Sequence, residues 1–371
     1  MINQERLLNE FLELVQIDSE TKNEAAIAKV LRAKLEELGF TVEEDDAAAK
    51  TGHGANNLVG TLAGTANGPS ILFSSHMDTV VPGNGIKPSI RDGYVYSDGT
   101  TILGADDKAG VAAILEGIRS LKEKNLPHPT IQVVFTVGEE AGLMGSRHMD
   151  SSLLKADMGF ILDSEGPVGK ITVAGAGQYR IITKIYGKAA HAGVNPEDGV
   201  SAITVASKAI SRMPLGRIDE DTTANIGRFE GGKAFNIVAD YVEVLAEARS
   251  LVMEKLEDQV KKMTTAYEEA AAEMGASVEN EVIFMYHGYK YTEETPVVQK
   301  AINAVKRIGR TPEMVKSGGG SDGNVFNGYG VPSVNLAIGY EEIHTTNERM
   351  PLSELYKAAE LVLAIVEEVL E

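Results

Sequence analysis

The run ILFSSHMD at residues 71–78 and the run TIQVVFTVGEE at 130–140 flank the stretch KAGVAAILEGIRSLKEKN at 108–125. The two outer runs are short, apolar and rich in Val, Ile and Phe, which predicts buried strands, while the longer middle stretch predicts a helix. Strands buried on both faces and joined by a helix are typical of parallel pairs in an α/β layer. This part of the chain therefore predicts an α/β fold.

The same pattern continues outward from this unit. Helical spacing of apolar residues predicts one helix over 3–16 and a second over roughly 24–38, and NLVGTLAG at 57–64 reads as a strand. GFILDSEG at 159–166 adds another strand, and from about residue 290 the helix–strand pattern resumes, with a final helix over 352–370. We therefore predict one α/β domain built from 1–174 and 288–371.

The segment between these parts, residues 175–287, has a different character. GQYRIITKIYGKA alternates as a half-exposed strand does, and it is followed in order by a helix, two strands, a long helix and a closing strand, SVENEVIFMY. The order βαββαβ is that of a ferredoxin-like arrangement. We predict an inserted α+β domain.

Length and composition set further limits. The 371 residues suggest about two domains, and the net charge of −19, from 35 basic and 54 acidic residues, disfavours nucleic acid and anionic membranes as partners. Cysteine is absent, so a metal site must use nitrogen and oxygen ligands. No signal peptide is recognisable, and no apolar run reaches the ~20 residues that span a bilayer. These features predict a cytoplasmic protein.

Two of the apolar runs end in residues that can bind metals. His76 ends ILFSSHMDT, and Asp78 lies two positions on, facing the same way, where a carboxylate can fix the tautomer of a metal-bound histidine. A buried histidine paired with an aspartate explains this pair equally well. Asp106 lies in GADDKAG at a helix start, where an acid can also be a cap, although a cap needs only one of the two acids.

Three more strand ends carry such residues. Adjacent Glu139 and Glu140 in TVGEEAG follow a buried strand, which is costly unless they bind a cation or act as a base. Asp163 in ILDSEG lies at the end of another strand, and His344 lies in the loop YEEIHTTNE after a further strand. Two histidines and three carboxylates converging at one edge of an α/β sheet match a site for two cations.

In the order HMD, GADDKAG, GEEAG, LDSEG and a late loop histidine, the sequence resembles the superfamily of cocatalytic zinc peptidases and deacylases. That superfamily includes peptidase T, carboxypeptidase G2, aminoacylase and succinyl-diaminopimelate desuccinylase. The motifs cover nearly the whole chain, and SHMDTV, GADDKAG and IHTTNE resemble most the branch of peptidase T, the tripeptide aminopeptidase. The resemblance implies an α/β/α catalytic domain with a mixed central sheet and an inserted ferredoxin-like domain that serves as lid and dimerisation domain.

The resemblance also implies roles for the strand-end residues. His76 and Asp163 would complete one zinc site, Glu140 and His344 the other, and Asp106 would bridge both. Asp78 would orient His76, and Glu139 would be the general base. A cis peptide is expected between Asp106 and Asp107.

The remaining implied residues contact the substrate. His191 in KAAHAGVNPEDGVSA would cross a dimer interface and stabilise the oxyanion, while Asn236 and Arg249 would hold polar and carboxylate groups of the substrate. Taken alone, His191 is better explained as a surface-loop histidine, and Asn236 and Arg249 could be a turn residue and an exposed strand charge. The glycine-rich loop SGGGSDGNVF would add Gly318, Gly319 and Asp322, and it is otherwise a flexible connector. His53, His128 and His148 read as solvated surface residues.

The predicted function is therefore hydrolysis of an amide bond in short peptides by a homodimeric enzyme with two zinc ions per subunit, where cobalt or manganese would suit the same ligands. An N-acyl amino acid deacylase of the same superfamily is one alternative. A catalytically silent metal-binding scaffold is another, from a different class. A nucleotide-binding protein is disfavoured, because the glycine-rich loop lacks the lysine of a phosphate-binding loop.

Overall fold

The computed structural model describes residues 2–371, in which ten α-helices and seventeen strands alternate. The helices are α1 (Gln4–Val15), α2 (Ala25–Glu37), α3 (Ala47–Thr51), α4 (Ala105–Glu123), α5 (Met144–Arg147), α6 (Ala202–Ile210), α7 (Met253–Met274), α8 (Pro296–Arg307), α9 (Asp322–Gly328) and α10 (Leu352–Leu370). The strands are β1 (Thr41–Glu44), β2 (Leu58–Leu62), β3 (Ile71–His76), β4 (Ser89–Arg91), β5 (Tyr94–Tyr96), β6 (Ile131–Thr136), β7 (Met158–Ser164), β8 (Lys170–Gly175), β9 (Gly177–Tyr186), β10 (Gly216–Arg217), β11 (Thr222–Gly231), β12 (Tyr241–Ser250), β13 (Ser277–Tyr286), β14 (Tyr289–Lys290), β15 (Glu313–Ser317), β16 (Ser333–Ala337) and β17 (Arg349–Pro351).

The chain forms two compact units. The first comprises the chain up to Ala174, Tyr291–Ser317 and Ser321–Glu371, and the second comprises Gly175–Lys290 with Gly318–Gly320. The second unit thus extends three residues beyond the predicted boundary at 287, and it takes in Gly318–Gly320 of the glycine-rich loop.

A mixed sheet forms the centre of the first unit. Its strands run in the order β1-β2-β6-β3-β7-β16-β8, with β15 paired to β8. The four central strands β6, β3, β7 and β16 are parallel to one another, whereas β2 and β8 pair antiparallel at either side. Strand β3 is buried along its whole length, as expected for a strand covered on both faces. The predicted α/β fold with a mixed central sheet is confirmed.

Helices cover both faces of this sheet. The larger core includes Phe73 and Phe160 of the sheet together with apolar side chains of α1, α4, α8 and α10, such as Phe11 and Ile114. On the opposite face, Leu72 and other alternate strand residues form a smaller cluster with Phe326 of α9. Because successive strand side chains point to opposite faces, one apolar run supplies both cores. The unit is therefore a three-layered α/β/α domain.

Parallel strands bring their carboxyl ends to a single edge of the sheet. His76 is the last residue of β3 and pairs in register with Thr136, the last residue of β6. Asp163 lies near the end of β7, and the chain leaves β16 at Ala337 toward the loop that carries His344. The topology thus gathers the predicted strand-end residues along one edge, where α/β folds bind ligands.

The start of α4 is irregular. Asp106 and Asp107 lie in non-helical backbone conformations, and the peptide between them is cis, as expected. Gly104 precedes them at φ +73°, a conformation that glycine adopts without steric cost. In this turn, the side chain of Asp106 faces the sheet edge and does not occupy a regular capping position.

The second unit has its own sheet and core. The strands run in the order β10-β11-β12-β9-β13, all antiparallel. Helices α6 and α7 cover one face, where Val205 and Met263 join Ile181 of β9 in one core. Along the chain, β9, α6, β11, β12, α7 and β13 follow the βαββαβ order of a ferredoxin-like unit. Within residues 2–371, no helix is both long and apolar enough to cross a membrane.

Candidate metal centre

The first half of the centre consists of His76 and Asp163. His76 is 1% exposed, and its Nε2 atom lies 3.1 Å from Asp106 Oδ1 and 3.9 Å from Asp163 Oδ1. Its other ring nitrogen, Nδ1, lies 2.9 Å from the backbone carbonyl of Asp78. Three potential ligand atoms therefore face one another at a buried strand end, with the histidine ring fixed from behind.

The second half consists of Glu140 and His344. His344 Nε2 lies 2.9 Å from Glu140 Oε1 and 3.2 Å from Asp106 Oδ2. His344 lies at φ +62° in the loop after β16, and its side chain is 49% exposed. Asp106 is thus shared: one carboxylate oxygen faces His76 and the other faces His344.

Hydrogen bonds between histidines and carboxylates set the pKa values of three groups in this cluster. Burial opposes ionisation of Asp106, but hydrogen bonds from His344 and His76 lower the pKa of its carboxyl well below the usual range. Hydrogen bonds to Asp106 and Glu140 raise the pKa of His344 to about 10. Burial lowers the pKa of His76, yet hydrogen bonds to Asp106 and Asp78 outweigh it and raise that pKa well above 6.5.

Burial disfavours the charged form of two further carboxyl groups, those of Asp163 and Asp107. Burial raises the pKa of Asp163 well above its usual value, and the charge of Asp106 adds to this effect. Burial, followed by the charge of Asp163, does the same for Asp107, whose Oδ1 atom is buried without a hydrogen-bond partner among the described residues. Clustered buried carboxylates are costly unless cations neutralise them.

The cluster fits two divalent cations. A tetrahedral ion with ligands at about 2.1 Å holds its ligand atoms roughly 3.4 Å apart. The four nitrogen–oxygen separations given above, from 2.9 to 3.9 Å, bracket that value. Each position combines one imidazole with carboxylates, and Asp106 can contribute one oxygen to each. His76, Asp106 and Glu140 also form a group whose ligand atoms lie within 4.8 Å of one another, as do His76, Asp107 and Asp163.

Asp78 connects the two halves in a way that differs in part from prediction. Its backbone carbonyl, more than its carboxylate at 3.4 Å, faces His76 Nδ1. The carboxylate instead accepts hydrogen bonds from the backbone N–H of Glu139 at 3.0 Å and from Thr21 Oγ1 at 2.8 Å. Asp78 thus fixes both the ring of His76 and the turn that carries the two glutamates.

Glu139 lies beside both halves at this turn. Burial, followed by the negative charge of Asp163, raises the pKa of its carboxyl well above the usual value. The turn is close-packed, since Gly138 lies at φ +59° against the ring of His53. A half-buried carboxyl group with a raised pKa is a candidate for proton transfer.

Asp322 is the remaining predicted residue in the first unit. It is only 2% exposed, and its two oxygens accept hydrogen bonds from Thr136 Oγ1 and Ser146 Oγ, both at 2.5 Å. Both carboxylate oxygens are thereby engaged inside the protein. The structure makes it a buried link between β6, α5 and α9, and its contact with substrate stays a prediction.

The other predicted residues lie in the second unit. His191 forms an isolated bridge with Ile237, and the N–H of Ala192 donates to the carbonyl of Asn236, so His191 and Asn236 lie on adjacent segments. Arg249 donates through Nη1 to the carbonyl of Gly318 at 3.0 Å and pairs with Glu247. Gly318 and Gly319 belong to this unit as well.

Two histidines predicted to be solvated are buried. His53 and His128 are each 6% exposed, and the ring nitrogens of both make local contacts, to Thr51 Oγ1 and to the carbonyl of Pro129. The prediction was wrong because polar neighbours in the sequence do not reveal that a loop folds back against the sheet. His148 is half-buried.

Three residues near the centre were not predicted from the sequence. Tyr340 donates its hydroxyl to Asp163 Oδ1 at 3.1 Å, and Asn335 Oδ1 accepts the N–H of Asp163 at the same distance. Glu348 accepts three backbone N–H groups of the Asp106 turn. A signal existed for Asn335, since an amide inside the apolar strand VPSVNLAI needs hydrogen-bond partners.

The chain is similar to known proteins over nearly its whole length. A sequence model described as Peptidase family M20/M25/M40 matches residues 72–368. The aminopeptidase PepT from Bacillus cereus ATCC 10987 is 61% identical, with a TM-score of 0.97 over 100% of both chains. A tripeptidase from Staphylococcus aureus subsp. aureus Mu50 is 52% identical, with a TM-score of 0.94 over 100% of this chain and 99% of the other. Peptidase T from Clostridium novyi (strain NT) is 27% identical over 98% of this chain and 99% of the relative.

Proposed function

We propose that this chain, which belongs to peptidase family M20/M25/M40 and is a metal-binding peptidase of the peptidase T type, is a dinuclear zinc aminopeptidase. It removes the first residue of tripeptides. The observation that carries the metal assignment is the position of Asp106, whose two oxygens face two different histidines. The names of the two solved relatives, an aminopeptidase PepT and a tripeptidase, support the substrate class.

The proposed ligands follow from the two halves of the centre. His76 and Asp163 would hold one zinc ion, Glu140 and His344 the other, and Asp106 would bridge them. Bound zinc supplies a water of lowered pKa and polarises the carbonyl of the scissile bond. Asp78 and Asn335 keep the ligands oriented through the hydrogen bonds described above. Cobalt or manganese would suit the same nitrogen and oxygen donors.

Glu139 is the proposed general base. Its carboxylate takes a proton from the attacking water and returns it to the leaving amine, so that the residue serves as base and then as acid. The raised pKa of Glu139 supports this assignment, because perturbed pKa values are common among groups that transfer protons in active sites. The hydrogen bond from its backbone N–H to Asp78 keeps its turn in place.

The second unit is proposed to bind the substrate and to form a homodimer. His191 would stabilise the oxyanion, Arg249 would hold the substrate carboxylate, and Asn236, Gly318 and Gly319 would add polar contacts, together with Asp322 of the first unit. The pairing of Arg249 with Glu247 would have to open for a substrate carboxylate to bind in its place. Strand β13 lies at an edge of its sheet, where a second copy could pair. A cytoplasmic location is part of the same proposal.

Substrate profiling tests the proposal. The zinc-loaded protein is incubated with matched tripeptides, dipeptides and N-acylated amino acids, and mass spectrometry identifies the bond that breaks. We expect release of the first residue from tripeptides, with dipeptides and acylated amino acids cleaved far more slowly. Preferential cleavage of acylated amino acids would make the protein a deacylase. Full zinc loading without hydrolysis of any of these substrates would make it a metal-binding scaffold.

A further inference from the structure

Glu348 makes an unusual set of contacts beside the metal centre. Its side chain belongs to a residue that is 1% exposed, and its carboxylate accepts backbone N–H groups through both oxygens. Oε2 accepts those of Leu103 and Gly104, each at 2.8 Å, and Oε1 accepts that of Asp106 at 3.0 Å. One buried carboxylate therefore binds three N–H groups of the turn that carries the shared aspartate.

These three N–H groups need a partner outside the helix. They lie at or before the first turn of α4, where N–H groups have no intrahelical acceptor. The turn is also irregular, with Gly104 at φ +73° and Asp106 at φ −80° and ψ 102°. Since a buried N–H without an acceptor is costly, Glu348 stabilises this conformation of the turn.

Glu348 also holds the loop of His344. It lies four residues after His344, and the residues from His344 to Asn347 are all exposed. Glu348 is the first buried residue after this exposed segment and directly precedes β17. The same side chain thus connects the loop that carries His344 to the turn that carries Asp106.

The first half of the centre is anchored differently. His76 and Asp163 lie at the ends of buried strands, and Asp163 is held by Tyr340 and Asn335. Loss of Glu348 would leave these strand-end contacts in place. Loss of Glu348 would free the exposed His344 loop, and the second carboxylate oxygen of Asp106 would turn away from that loop.

We propose that Glu348 is a positioning residue that aligns Asp106 with His344, and that its loss weakens binding of the metal ion at the His344 position more than at the His76 position. The inference rests on the proposed dinuclear centre. It adds a residue that touches neither ion, and it assigns the two ions unequal dependence on that residue.

Substitution Glu348→Gln tests the inference with little change of shape. The amide oxygen can still accept from Leu103 and Gly104, but its NH₂ group then faces the N–H of Asp106, donor against donor. Zinc titration of the metal-free full chain by calorimetry should show two binding events. In E348Q the weaker binding event, at the His344 position, should lose at least about tenfold in affinity. The stronger event, at the His76 position, should change little. The visible spectrum of the cobalt-loaded variant should lose the contribution of the second ion at the same concentration.

Glu24→Gln is the matched control. Glu24 is also fully buried, and its two oxygens accept the backbone N–H groups of Lys22 and Gly54, both at 3.0 Å, neither of which belongs to a proposed ligand. E24Q should bind both ions as the unaltered chain does. Circular dichroism and thermal unfolding without metal show whether each variant folds, and Glu348→Asp is measured alongside E348Q.

The outcomes separate the two proposals. If the unaltered chain does not bind two ions, the proposed centre itself is wrong. If it binds two ions and E348Q does the same, or if E348Q weakens both events equally, the role of Glu348 is overturned. If E24Q weakens the second event as E348Q does, the effect reflects loss of a buried carboxylate in general. If neither Glu348 variant folds while E24Q does, Glu348 is a determinant of folding and the positioning role fails.

Discussion

The two halves of the metal centre are built by different parts of the fold. His76 is the last residue of a buried strand and is 1% exposed, whereas His344 lies in an exposed loop at positive φ with 49% of its side chain exposed. Asp163 is held by Tyr340 and Asn335, while His344 depends on the few contacts of its loop. Asp106 belongs to both halves.

This difference shows how one fold can combine a rigid and an adjustable position in a single site. A ligand at a strand end is fixed by the ladder of backbone hydrogen bonds and by the core behind it. A ligand in a loop is fixed only where a buried side chain such as Glu348 ties the loop down. We expect the His76 position to bind its ion more tightly and the His344 position to respond more to substitutions.

The largest effect is expected from Glu139, which belongs to neither half of the centre. Glu139→Gln keeps the size of the side chain and removes the base, so turnover of a tripeptide should fall by about 10²–10⁴-fold while two zinc ions remain bound. Steady-state kinetics and metal analysis of the same preparation measure both quantities. Near-normal turnover with both ions bound would contradict the role of Glu139, and loss of an ion would place it among the ligands.

Replacing the two histidines in turn tests the comparison directly. His344→Ala should leave one zinc ion bound and lower the unfolding temperature of the metal-free protein by less than His76→Ala does, because the side chain is half exposed and its ion pairs are screened by solvent. His76→Ala should lower that temperature by a few degrees, because it leaves a cavity and an unpaired oxygen of Asp106, costing about 1–3 kcal/mol. Metal stoichiometry and calorimetric unfolding check this order. The reverse order of stability losses would refute the proposed contrast.

Removal of the metal should make the stability of the protein depend on pH through groups in both halves of the centre. The raised pKa values of Glu139 and Asp163 mean that the folded state binds protons which the unfolded state releases above about pH 4, so their contribution falls as pH rises. The raised pKa of His344, about 10, gives stability that is full below 6.5 and is lost above it. The lowered pKa of Asp106 has no effect in this range, because that group stays ionised.

The chelator-treated protein should therefore lose stability from pH 6.5 to 8, and the gain in unfolding temperature on adding zinc should widen over the same interval. Differential scanning calorimetry at several pH values, with and without zinc, measures this gain. A gain that shrinks as pH rises would contradict the proposed sign. The variant His344→Ala should show a smaller pH dependence than the unaltered chain.

The smallest effect is expected within the rigid half. Tyr340→Phe removes one hydroxyl that donates to Asp163, while Asn335 still holds the backbone of that residue. Zinc affinity at the His76 position should fall by only a few-fold, less than the roughly 10–100-fold typical of lost partners of metal ligands. Calorimetric titration measures it. A loss as large as that in Glu348→Gln would show that the strand-end position depends on its neighbours as strongly as the loop position does.

Much of this site could be predicted from the sequence, because its residues follow apolar runs that read clearly as strands. The ends of β3, β6 and β7 lie within a few residues of the predicted limits, so His76, Glu140 and Asp163 could be assigned to one edge. Less regular segments were harder. Polar loops around His53 and His128 gave no sign that both histidines are buried. The three-stranded sheet β17-β5-β4 was also missed, since its strands are only three residues long.

The sequence by itself determined the α/β class, the order of the strands and helices, and the set of residues able to bind metals, since these follow from periodicity and residue type along the chain. Only the tertiary structure decided how the two oxygens of Asp106 divide between His76 and His344, and that Asp78 binds the Glu139 turn. It alone brought Glu348 to Leu103, 245 positions away in the chain. The physical reason is that hydrogen bonds of buried groups depend on distances and angles between distant segments, which no local pattern encodes.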